Sequence, residues 1–429
     1  MPQIAPAAPA SITSRRSRTR RLKSNAPEAL LNYCVLLGPG LLLVINVARI
    51  QELHPILAGL HLGAITGLIS LLAIFAAKPD KTLKPIMAFT QTKIYIMLIA
   101  IALLSIPGAV WPGASFRSFM TGVPIKCLLF YAMLRVVQKE EDFILLNRVL
   151  VYSVSLVAVL SFFTTGKRFN VGSTYDANDL GLIFCSVFPL SYYLSRISTG
   201  ISKISSTICT VLIVIGIVST VSRGAFISIC IVAPYTLLRD KTLGKVKALA
   251  MIGVIVVLFF AFVSESQMER FSTILEPTED YNYTSGGGRI EIWKRGMNIY
   301  LENPILGIGF DGFVNADGTQ HQYGAWKTAH NFLIQIAAEL GTGGLVLFLA
   351  LIYTSYKELY SFMRKDSFLQ EKVKTFSIGL EASFHAYVIT AMFLSQAYSS
   401  VFLYLVVCTM ILSRINIMNR KASGTRREK

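Results

Sequence analysis

Residues 285–293 read SGGGRIEIW and residues 329–335 read AHNFLIQ, and these two stretches decide how the rest of the chain is interpreted. The first lies inside the only long polar segment between apolar runs, roughly 264–327, and the second opens the apolar run that follows. Nearly everything else in the chain is typical of membrane-spanning segments and their short connections. Because binding and catalytic residues are concentrated on loops, a membrane protein with one sizeable polar segment is expected to do its chemistry there.

Composition excludes a soluble globular protein. Of the 429 residues, 53% are hydrophobic and 15% are charged, and the mean hydropathy is +0.55. Repeated apolar runs have about the 20 residues that a helix needs to cross the hydrocarbon core of a bilayer. We therefore predict an all-α, polytopic membrane protein with about twelve spans, at residues 29–50, 55–77, 93–111, 118–137, 145–164, 178–196, 204–221, 223–239, 246–263, 328–356, 374–395 and 397–416.

The net charge of +17 is explained most simply by the orientation of the chain in the membrane. With the N-terminus in the cytoplasm, most of the 41 lysine and arginine residues fall in the N-terminal tail, the even-numbered loops and the C-terminal tail. This is the positive-inside distribution of membrane proteins. A nucleic-acid partner is therefore not expected, and residues 264–327 are placed outside, after the ninth span.

The chain accordingly divides into five predicted regions. A disordered, basic cytoplasmic tail (1–28) is followed by spans one to nine (29–263). An external loop with an amphipathic helix (264–327) separates these from spans ten to twelve (328–416), and a basic cytoplasmic tail (417–429) follows.

The six cysteines are scattered among the predicted spans, and none lies in the external segment. Without a Cys-x-x-Cys pair, the pattern supports neither a disulfide framework nor a zinc site. Small apolar packing residues are the simplest interpretation. No metal and no cofactor are expected.

A cation stands between the seventh and eighth spans, in Ser222-Arg223-Gly224. The turn there is tight, and glycine at 224 is expected to permit it. Arg223 then lies at the external membrane boundary, where a guanidinium holds phosphate oxygens in a bidentate fork. The Ser222 hydroxyl adds a donor. The alternative is an arginine that extends to the membrane surface without a ligand.

The external segment is predicted to form a helix from Arg289 to Glu302. An apolar stripe at helical spacing suits a helix that lies on the membrane surface. The stripe consists of Ile290, Trp293, Met297 and Leu301.

Charges on this helix predict two further features. Glu291 and Arg295 form a favourable i,i+4 pair. Arg289 falls in the first turn, which is the unfavourable end of the helix dipole for a cation, and such a misfit hints at function. The alternative for the glycines before Arg289 is a flexible hinge.

His330 is predicted to lie in the first turn of a helix over about 329–340, at the external membrane face. A helix N-terminus disfavours imidazolium and favours a neutral ring that accepts a proton. The alternative is an ordinary interfacial histidine. Glycines in the run 341–344 are predicted to break or kink the helix before it continues into the membrane.

Three more polar residues have open roles. His61 and Lys126 lie within predicted spans, where ionisable groups are costly and tend to be functional. Lys126 is expected to face the bundle interior or a wet cavity, or else to reach the membrane surface. Asp176, with Asn178, is expected to cap the sixth span or to contact a substrate.

These pieces, in this order, resemble the bacterial O-antigen ligase / O-antigen polymerase superfamily of polytopic glycosyltransferases. The resemblance covers the span count over the whole chain and motifs over about 205–355. The motifs are Ser222-Arg223-Gly224, Gly288-Arg289-Ile290-Glu291-Ile292-Trp293, Glu302-Asn303-Pro304 followed by Gly307-Ile308-Gly309-Phe310, and Ala329-His330-Asn331.

The resemblance implies a membrane-embedded fold of the GT-C type with one long periplasmic loop. It also implies transfer of a glycan from an undecaprenyl-diphosphate donor to an acceptor sugar hydroxyl, on the periplasmic face of the inner membrane. The acceptor is lipid A–core for a ligase and a second lipid-linked repeat unit for a polymerase, and the motifs leave this choice open.

By the same motif match, Arg223 and Arg289 correspond to the diphosphate-handling arginines of the superfamily, and His330 corresponds to its catalytic histidine. Ser222 and Asn331, beside them in the motifs, are further candidate substrate-binding residues. The residue chemistry agrees, since arginines stabilise a leaving diphosphate and a neutral histidine serves as general base.

A polysaccharide flippase or another multi-span transporter is the alternative. Such a protein would be expected to carry charges along its spans and an internal repeat of its halves. No such repeat is visible, and the charged candidates gather at one face of the membrane. The sequence therefore favours the enzyme.

Overall fold

The computed structural model describes residues 33–52, 55–78, 84–162, 176–262, 288–320, 326–364 and 367–427. Within these ranges the regular structure is helical and no β-strand is present, which confirms the predicted all-α class. The basic tail 1–28 and the external segment 264–287, with Gly286 and Gly287, lie outside the described residues.

The longer helices follow one another along the chain with short connections. In order they are α1 (Tyr33–Ala48), α2 (Leu62–Ala76), α3 (Thr90–Ser105), α4 (Pro112–Val136), α5 (Glu140–Phe162), α6 (Ala177–Ile197), α7 (Gly200–Ser219), α8 (Arg223–Leu238), α9 (Lys245–Phe262), α10 (Arg289–Glu302), α11 (Phe313–Gln320), α12 (Phe332–Phe362), α13 (Glu371–Ala391) and α14 (Ser400–Arg427).

Six helices of the described chain are long and apolar enough to cross a membrane, namely α4, α5, α6, α7, α12 and α14. Four more, α1, α2, α3 and α8, are apolar but shorter, with 10–17 residues. A helix rises 1.5 Å per residue, so ~16 residues fall short of a ~30 Å hydrocarbon core. The protein is thus a multi-pass helical membrane protein, while the count of twelve spans stays a prediction.

Helix α6 lies at the centre of the bundle and is buried along nearly its whole length. Small residues allow its neighbours to approach closely. A Cβ atom on Gly181 would lie 2.7 Å from that of Ala225 in α8, and a Cβ on Gly379 in α13 would lie 2.9 Å from the Pro189 carbonyl oxygen. The packing of α6, α8 and α13 therefore depends on glycines at their contacts.

Helix α12 is broken at Gly341, whose φ of 66° and ψ of −167° are not helical. A side chain there would strain the backbone and would place a Cβ 2.4 Å from the Ile305 carbonyl oxygen. The backbone N–H of Thr342 donates instead to the carbonyl of Pro304, at 2.8 Å. The predicted break in the run 341–344 is confirmed, and Gly341 is the residue that makes it.

Residues 304–309 form a strap along the broken helix. The Ile308 N–H donates to the Ala338 carbonyl at 2.9 Å, and the Gly309 N–H donates to the Glu339 carbonyl at 3.1 Å. These carbonyls precede the break and have lost their helical partners, so the strap satisfies them. The glycine motif at 307–309 is therefore a structural device, because Gly307 has φ 67° and its backbone lies against Glu339.

The turn between α7 and α8 corrects one expectation. The residue in the left-handed conformation is Val221, with φ 51°, and not Gly224. Gly224 lies inside α8, where a Cβ would lie 3.2 Å from that of Phe393. Glycine is needed at 224 for close packing rather than for the turn.

The connections of the bundle gather at two ends. One end, called the site end below, contains the N-terminal residues of α6, α8 and α12 together with the connection 392–399 between α13 and α14. Gly181 near Ser222 and Ser395 near His330 tie these pieces together. The other end, called the far end, contains the C-terminal residues of α6 and α8.

Candidate functional site

His330 lies just before α12 and not in its first turn, which corrects the prediction. Its φ is 47°, and the helix begins at Phe332 with Asn331 as the N-cap. The His330 N–H donates to the Ser395 hydroxyl at 2.8 Å, and the Trp293 indole N–H donates to the His330 carbonyl at 3.3 Å. The left-handed backbone and these two bonds fix the residue between α10 and the 392–399 connection.

The His330 ring is held neutral. Its pKa is lowered from 6.5 to about 4, first because burial disfavours the charged ring, and then because of the positive charge of Arg289 and, less, of Lys327. Asp176 acts in the opposite direction. The structure thus brings Arg289 and His330 into one electrostatic neighbourhood. The neutral ring has a lone pair that can accept a proton, and its Nε2 lies 3.4 Å from the Thr328 hydroxyl.

Helix α10 places Arg289 at this site, but by a different face from the predicted one. Its buried residues are Ile292, Gly296 and Ile299, and Gly296 packs directly against Ile334 of α12. Met297 and Leu301, from the predicted stripe, are exposed. Only this half of the stripe faces away from the protein, since Ile290 and Trp293 are half-buried and Trp293 reaches the His330 carbonyl. The small Gly296 allows α10 to lie close to α12 by its other face.

The predicted pair of Glu291 with Arg295 is not the one that forms. Glu291 pairs with Lys294 at 2.6 Å, whereas the Arg295 Nε lies 2.7 Å from the carboxylate of Asp317. Asp317 is fully buried and also accepts from the Lys327 N–H at 3.1 Å. This ion pair connects α10, α11 and the approach to His330, so it stabilises the external part of the site.

Arg223 is the first residue of α8, and Ser222 is its N-cap, with the Ser222 hydroxyl 3.4 Å from the Ala225 N–H. The N-terminus of α8 lies at the site end, beside Gly181 of α6 and Phe393. Arg223 therefore opens onto the same end of the bundle as His330.

Asn331 also has a structural role. Its side-chain oxygen accepts from the N–H groups of Leu333 at 2.9 Å and Ile334 at 3.2 Å. Ser222 and Asn331 are both nearly buried N-caps, which satisfies the free N–H groups of a first helical turn. Their predicted contact with substrate stays a prediction.

Asp176 caps α6, which is one of the two roles predicted for it. Its carboxylate accepts from the N–H groups of Asn178 and Asp179, and Asp179 reaches back to the Asp176 N–H, which forms a capping box. Asp179 also accepts from the Gln396 amide at 2.7 Å. The acids at the N-terminus of α6 therefore hold the 392–399 connection beside His330.

A polar cavity of about 460 Å³ opens at the site end. It lies next to His330, because Ser395 lines the cavity and its hydroxyl accepts from the backbone N–H of that residue. Lys126 lines it too, so the expectation of a wet cavity for this residue is confirmed. His61 is an exposed residue at the start of α2 with φ 49°.

Several residues of this end escaped the sequence analysis. They are Arg49, Asp311, Ser395 and Gln396. Asp311 follows the glycine motif directly, and Ser395-Gln396 interrupts two apolar runs, so each had a local signal. Arg49 had none beyond its place at the end of the first span.

A metal site has no support in the geometry, because the described residues contain no group of three or more His, Cys, Asp or Glu side chains that could hold an ion. The arrangement instead offers a neutral base, guanidinium groups and a polar cavity.

Comparison with known proteins agrees with the resemblance drawn from the motifs. Residues 208–349 match the sequence model of the family described as O-antigen ligase, and this range includes Arg223, Arg289 and His330. Two proteins, both named "Putative polysaccharide ligase", are similar. The one from Rickettsia conorii is 27% identical over 52% of this chain, and the one from Rickettsia typhi is 25% identical over 57%. The chain spans 57% and 63% of their lengths, respectively.

Proposed function

Because the chain carries an O-antigen ligase domain over residues 208–349, we propose that it is a glycosyltransferase of the bacterial inner membrane. It moves a glycan from an undecaprenyl-diphosphate donor to an acceptor sugar hydroxyl on the periplasmic face. The observation that carries the proposal is the neutral His330 ring near the charge of Arg289, on a residue whose backbone N–H bonds to Ser395 in the lining of a polar cavity of an otherwise apolar bundle.

In the proposed reaction the acceptor hydroxyl oxygen attacks the anomeric carbon of the donor sugar. The bond from that carbon to the diphosphate oxygen breaks, and the hydroxyl proton passes to the His330 ring. A positioned base of this kind contributes ~10²–10⁴-fold to the rate. Direct attack on the donor gives the expectation of anomeric inversion.

Arg223 and Arg289 stabilise the leaving diphosphate in this mechanism. Negative charge develops on the diphosphate oxygen as the bond breaks, and guanidinium groups that are already in place stabilise it in the transition state. Because two guanidiniums supply positive charge at this point, we propose that the reaction does not need a divalent metal.

The base becomes stronger when the donor binds. Arg289 is one of the causes of the low His330 pKa of about 4. A bound diphosphate would offset the Arg289 charge, so the His330 pKa rises in the donor complex. The acceptor is therefore deprotonated most effectively when the donor is in place.

The charge distribution supports a periplasmic site end. The far end is rich in basic residues, including Arg196, Arg239 and Lys241, which flank the C-terminal ends of α6 and α8. Lysine and arginine favour the cytoplasmic side of a membrane. The site end then faces the periplasm, and both termini are cytoplasmic.

A transfer assay with the purified protein tests the proposal. It uses an undecaprenyl-diphosphate-linked repeat unit with and without lipid A–core, beside the His330→Ala variant, in the presence and absence of a chelator. A ladder from the donor alone indicates a polymerase, and a single shift of lipid A–core that needs both substrates indicates a ligase.

Two outcomes would contradict the proposal. Product that is formed equally well by His330→Ala removes this residue from the chemistry. No product from the wild-type protein with any donor favours the transporter instead. Activity that is abolished by the chelator and restored by a divalent ion would overturn the metal-independent mechanism alone.

A further inference from the structure

The polar cavity contains charged residues that the proposed mechanism does not use. Its volume of about 460 Å³ lies within the range of ~300–1,000 Å³ that is typical of small-molecule sites. Arg49, Lys126 and Asp311 come to it from three separate parts of the chain. None of them belongs to the group of His330, Arg223 and Arg289.

Lys126 is the first reason to assign a ligand to the cavity. It lies in the middle of α4, where a cation is costly unless it faces a wet space. Its side chain lines the polar cavity and also a smaller apolar cavity of about 70 Å³. Phe310 and Tyr398 line both cavities as well. An anion at Lys126 would thus lie at a boundary between polar and apolar surroundings.

Arg49 is the second reason. The last turn of α1, Val44–Ala48, is π-helical, and Arg49 follows it in the left-handed conformation with φ 50°. A π-helical turn is rare, and the left-handed conformation is uncommon for a residue other than glycine. Both are found more often at functional sites than elsewhere. Together they end α1 and bring Arg49 to the cavity wall.

Asp311 sets the charge balance of the cavity. It is the single carboxylate among the described residues of the lining. Burial raises its pKa, while a hydrogen bond from Ser118 and the charge of Lys126 act against that rise. Within the lining itself two cations stand beside one acid, and Asp179, which accepts from the lining residue Gln396, also acts on Arg49. A cavity of this kind selects an anionic ligand.

We propose that this cavity is the acceptor subsite, in which Arg49 and Lys126 hold a phosphate group of the acceptor saccharide. The inference rests on the proposed function. Ser395 lines the cavity and bonds to the backbone N–H of His330, so an acceptor held there lies next to the residue that carries the base. The phosphate belongs either to the diphosphate of a lipid-linked repeat unit or to a phosphorylated core saccharide.

Transfer kinetics with separate variation of the two substrates form the first test. In Arg49→Gln and in Lys126→Gln, the KM for the acceptor is expected to rise about tenfold or more, because a hydrogen-bonded charge pair is lost. The KM for the donor stays unchanged. Arg117→Gln is the matched control, since Arg117 is an exposed residue of the same helix α4 outside the lining.

The choice of acceptor identifies the source of the phosphate. A rise in KM with the lipid-linked repeat unit assigns the cavity to a lipid diphosphate. If the KM rises with phosphorylated lipid A–core as acceptor, and does not rise with enzymatically dephosphorylated lipid A–core, the cavity is assigned to a core phosphate. A rise in the KM of the donor instead, or an equal change in Arg117→Gln, overturns the proposal.

A binding measurement separates this inference from the proposed function. Glucose 6-phosphate and glucose are titrated against the full-length protein in nanodiscs, by calorimetry. Glucose 6-phosphate is expected to bind more tightly than glucose, and to keep that difference in Arg223→Gln/Arg289→Gln. The difference is expected to vanish in Arg49→Gln/Lys126→Gln and to return in Arg49→Lys/Lys126→Arg, which controls for folding.

These outcomes are distinguishable. If no donor supports transfer but the difference between the two sugars depends on Arg49 and Lys126, the anion site stands and the transferase proposal falls. If glucose and glucose 6-phosphate bind alike to the wild-type protein, or if Arg49→Gln/Lys126→Gln keeps the difference, the anion site itself is wrong.

Discussion

The two ends of the bundle use their carboxylates differently. At the far end carboxylates face arginines directly, with Arg196 2.7 Å from Asp240 and Arg239 3.0 Å from Glu381. At the site end the acids at the N-terminus of α6 serve backbone and amide donors, as Asp179 does in the capping box and with Gln396, while Asp317 of α11 faces Arg295 directly. The far end thus uses charge to hold helices together, whereas the site end uses its acids to fix loops around cations.

The difference teaches which charged groups to regard as structural. An arginine that faces a buried carboxylate, such as Arg239 with Glu381, has its role within the protein. An arginine at the first turn of a helix, such as Arg223 or Arg289, lies where the helix dipole disfavours it. The two classes should respond to mutation in opposite ways, in activity and in stability.

The largest difference is expected between two histidines. His330→Ala should lower kcat by ~10²–10⁴-fold, because the general base is removed. His385→Ala is the matched control, since His385 lies inside α13 with its ring bonded to the Glu381 carbonyl. It should change thermal stability and leave kcat unchanged. Steady-state transfer kinetics and thermal unfolding check both, and equal loss of kcat in the two variants would break the comparison between the ends.

The next effect is expected from arginine-to-lysine exchanges. Arg223→Lys keeps the charge but loses the bidentate fork, so transfer should fall by ~10²-fold with normal membrane insertion. Arg239→Lys at the far end should leave transfer within about twofold, because it keeps a positive charge beside the buried Glu381 and lies away from the site. Wild-type activity in Arg223→Lys would remove Arg223 from the mechanism.

A smaller effect on stability is expected from two glycines. Gly307→Ala places a Cβ 2.4 Å from the Glu339 backbone at a φ of 67°, and should destabilise the protein by about 1–3 kcal/mol. Gly244→Ala at the far end meets no atom within 4 Å and should change stability by about 0.5 kcal/mol or less. Unfolding in a fixed detergent compares the two. Equal midpoints would show that the strap does not hold α12.

The smallest effect is expected in the pH dependence of kcat/KM. The His330 pKa of about 4 belongs to the free enzyme, so kcat/KM should fall only as the pH drops through that value and protonates the base. In Arg289→Gln the lowering effect of the Arg289 charge is gone, and the acid limb should move to higher pH. An acid limb that stays in place, measured on the residual activity, would separate Arg289 from His330.

The helical class and the ends of most helices could be predicted, because long apolar runs have few alternatives in a membrane. The break at Gly341 was also readable, since glycine is the residue that tolerates its φ. The packing face of α10 could not be predicted. Apolar residues occupy more than one side of that helix, and the small Gly296, which decides the contact with Ile334, carries no hydrophobic signal.

The candidate site could be predicted in part for a similar reason. Motifs at segment boundaries contain Arg223, Arg289 and His330, and at such boundaries the local sequence indicates where along the membrane a residue lies. The cavity could not be predicted, since Arg49 and Lys126 lie on different helices and meet only through tertiary packing. His330 was placed inside the helix because the helix was expected to begin near residue 329, whereas Asn331 is its cap.

The break at Gly341 also has a mechanical consequence. The short helix before the break is tied to α10 by the packing of Gly296 on Ile334 and by the bond from Trp293 to His330. Its link to the rest of α12 is the non-helical Gly341. Thr342, directly beyond the break, is also tied to α10 through the Tyr300 hydroxyl at 3.0 Å, and to the Pro304 carbonyl just after that helix. A load on α10, such as the docking of a bulky glycan, therefore reaches α12 on both sides of the break, through the His330 backbone before it and through Thr342 after it.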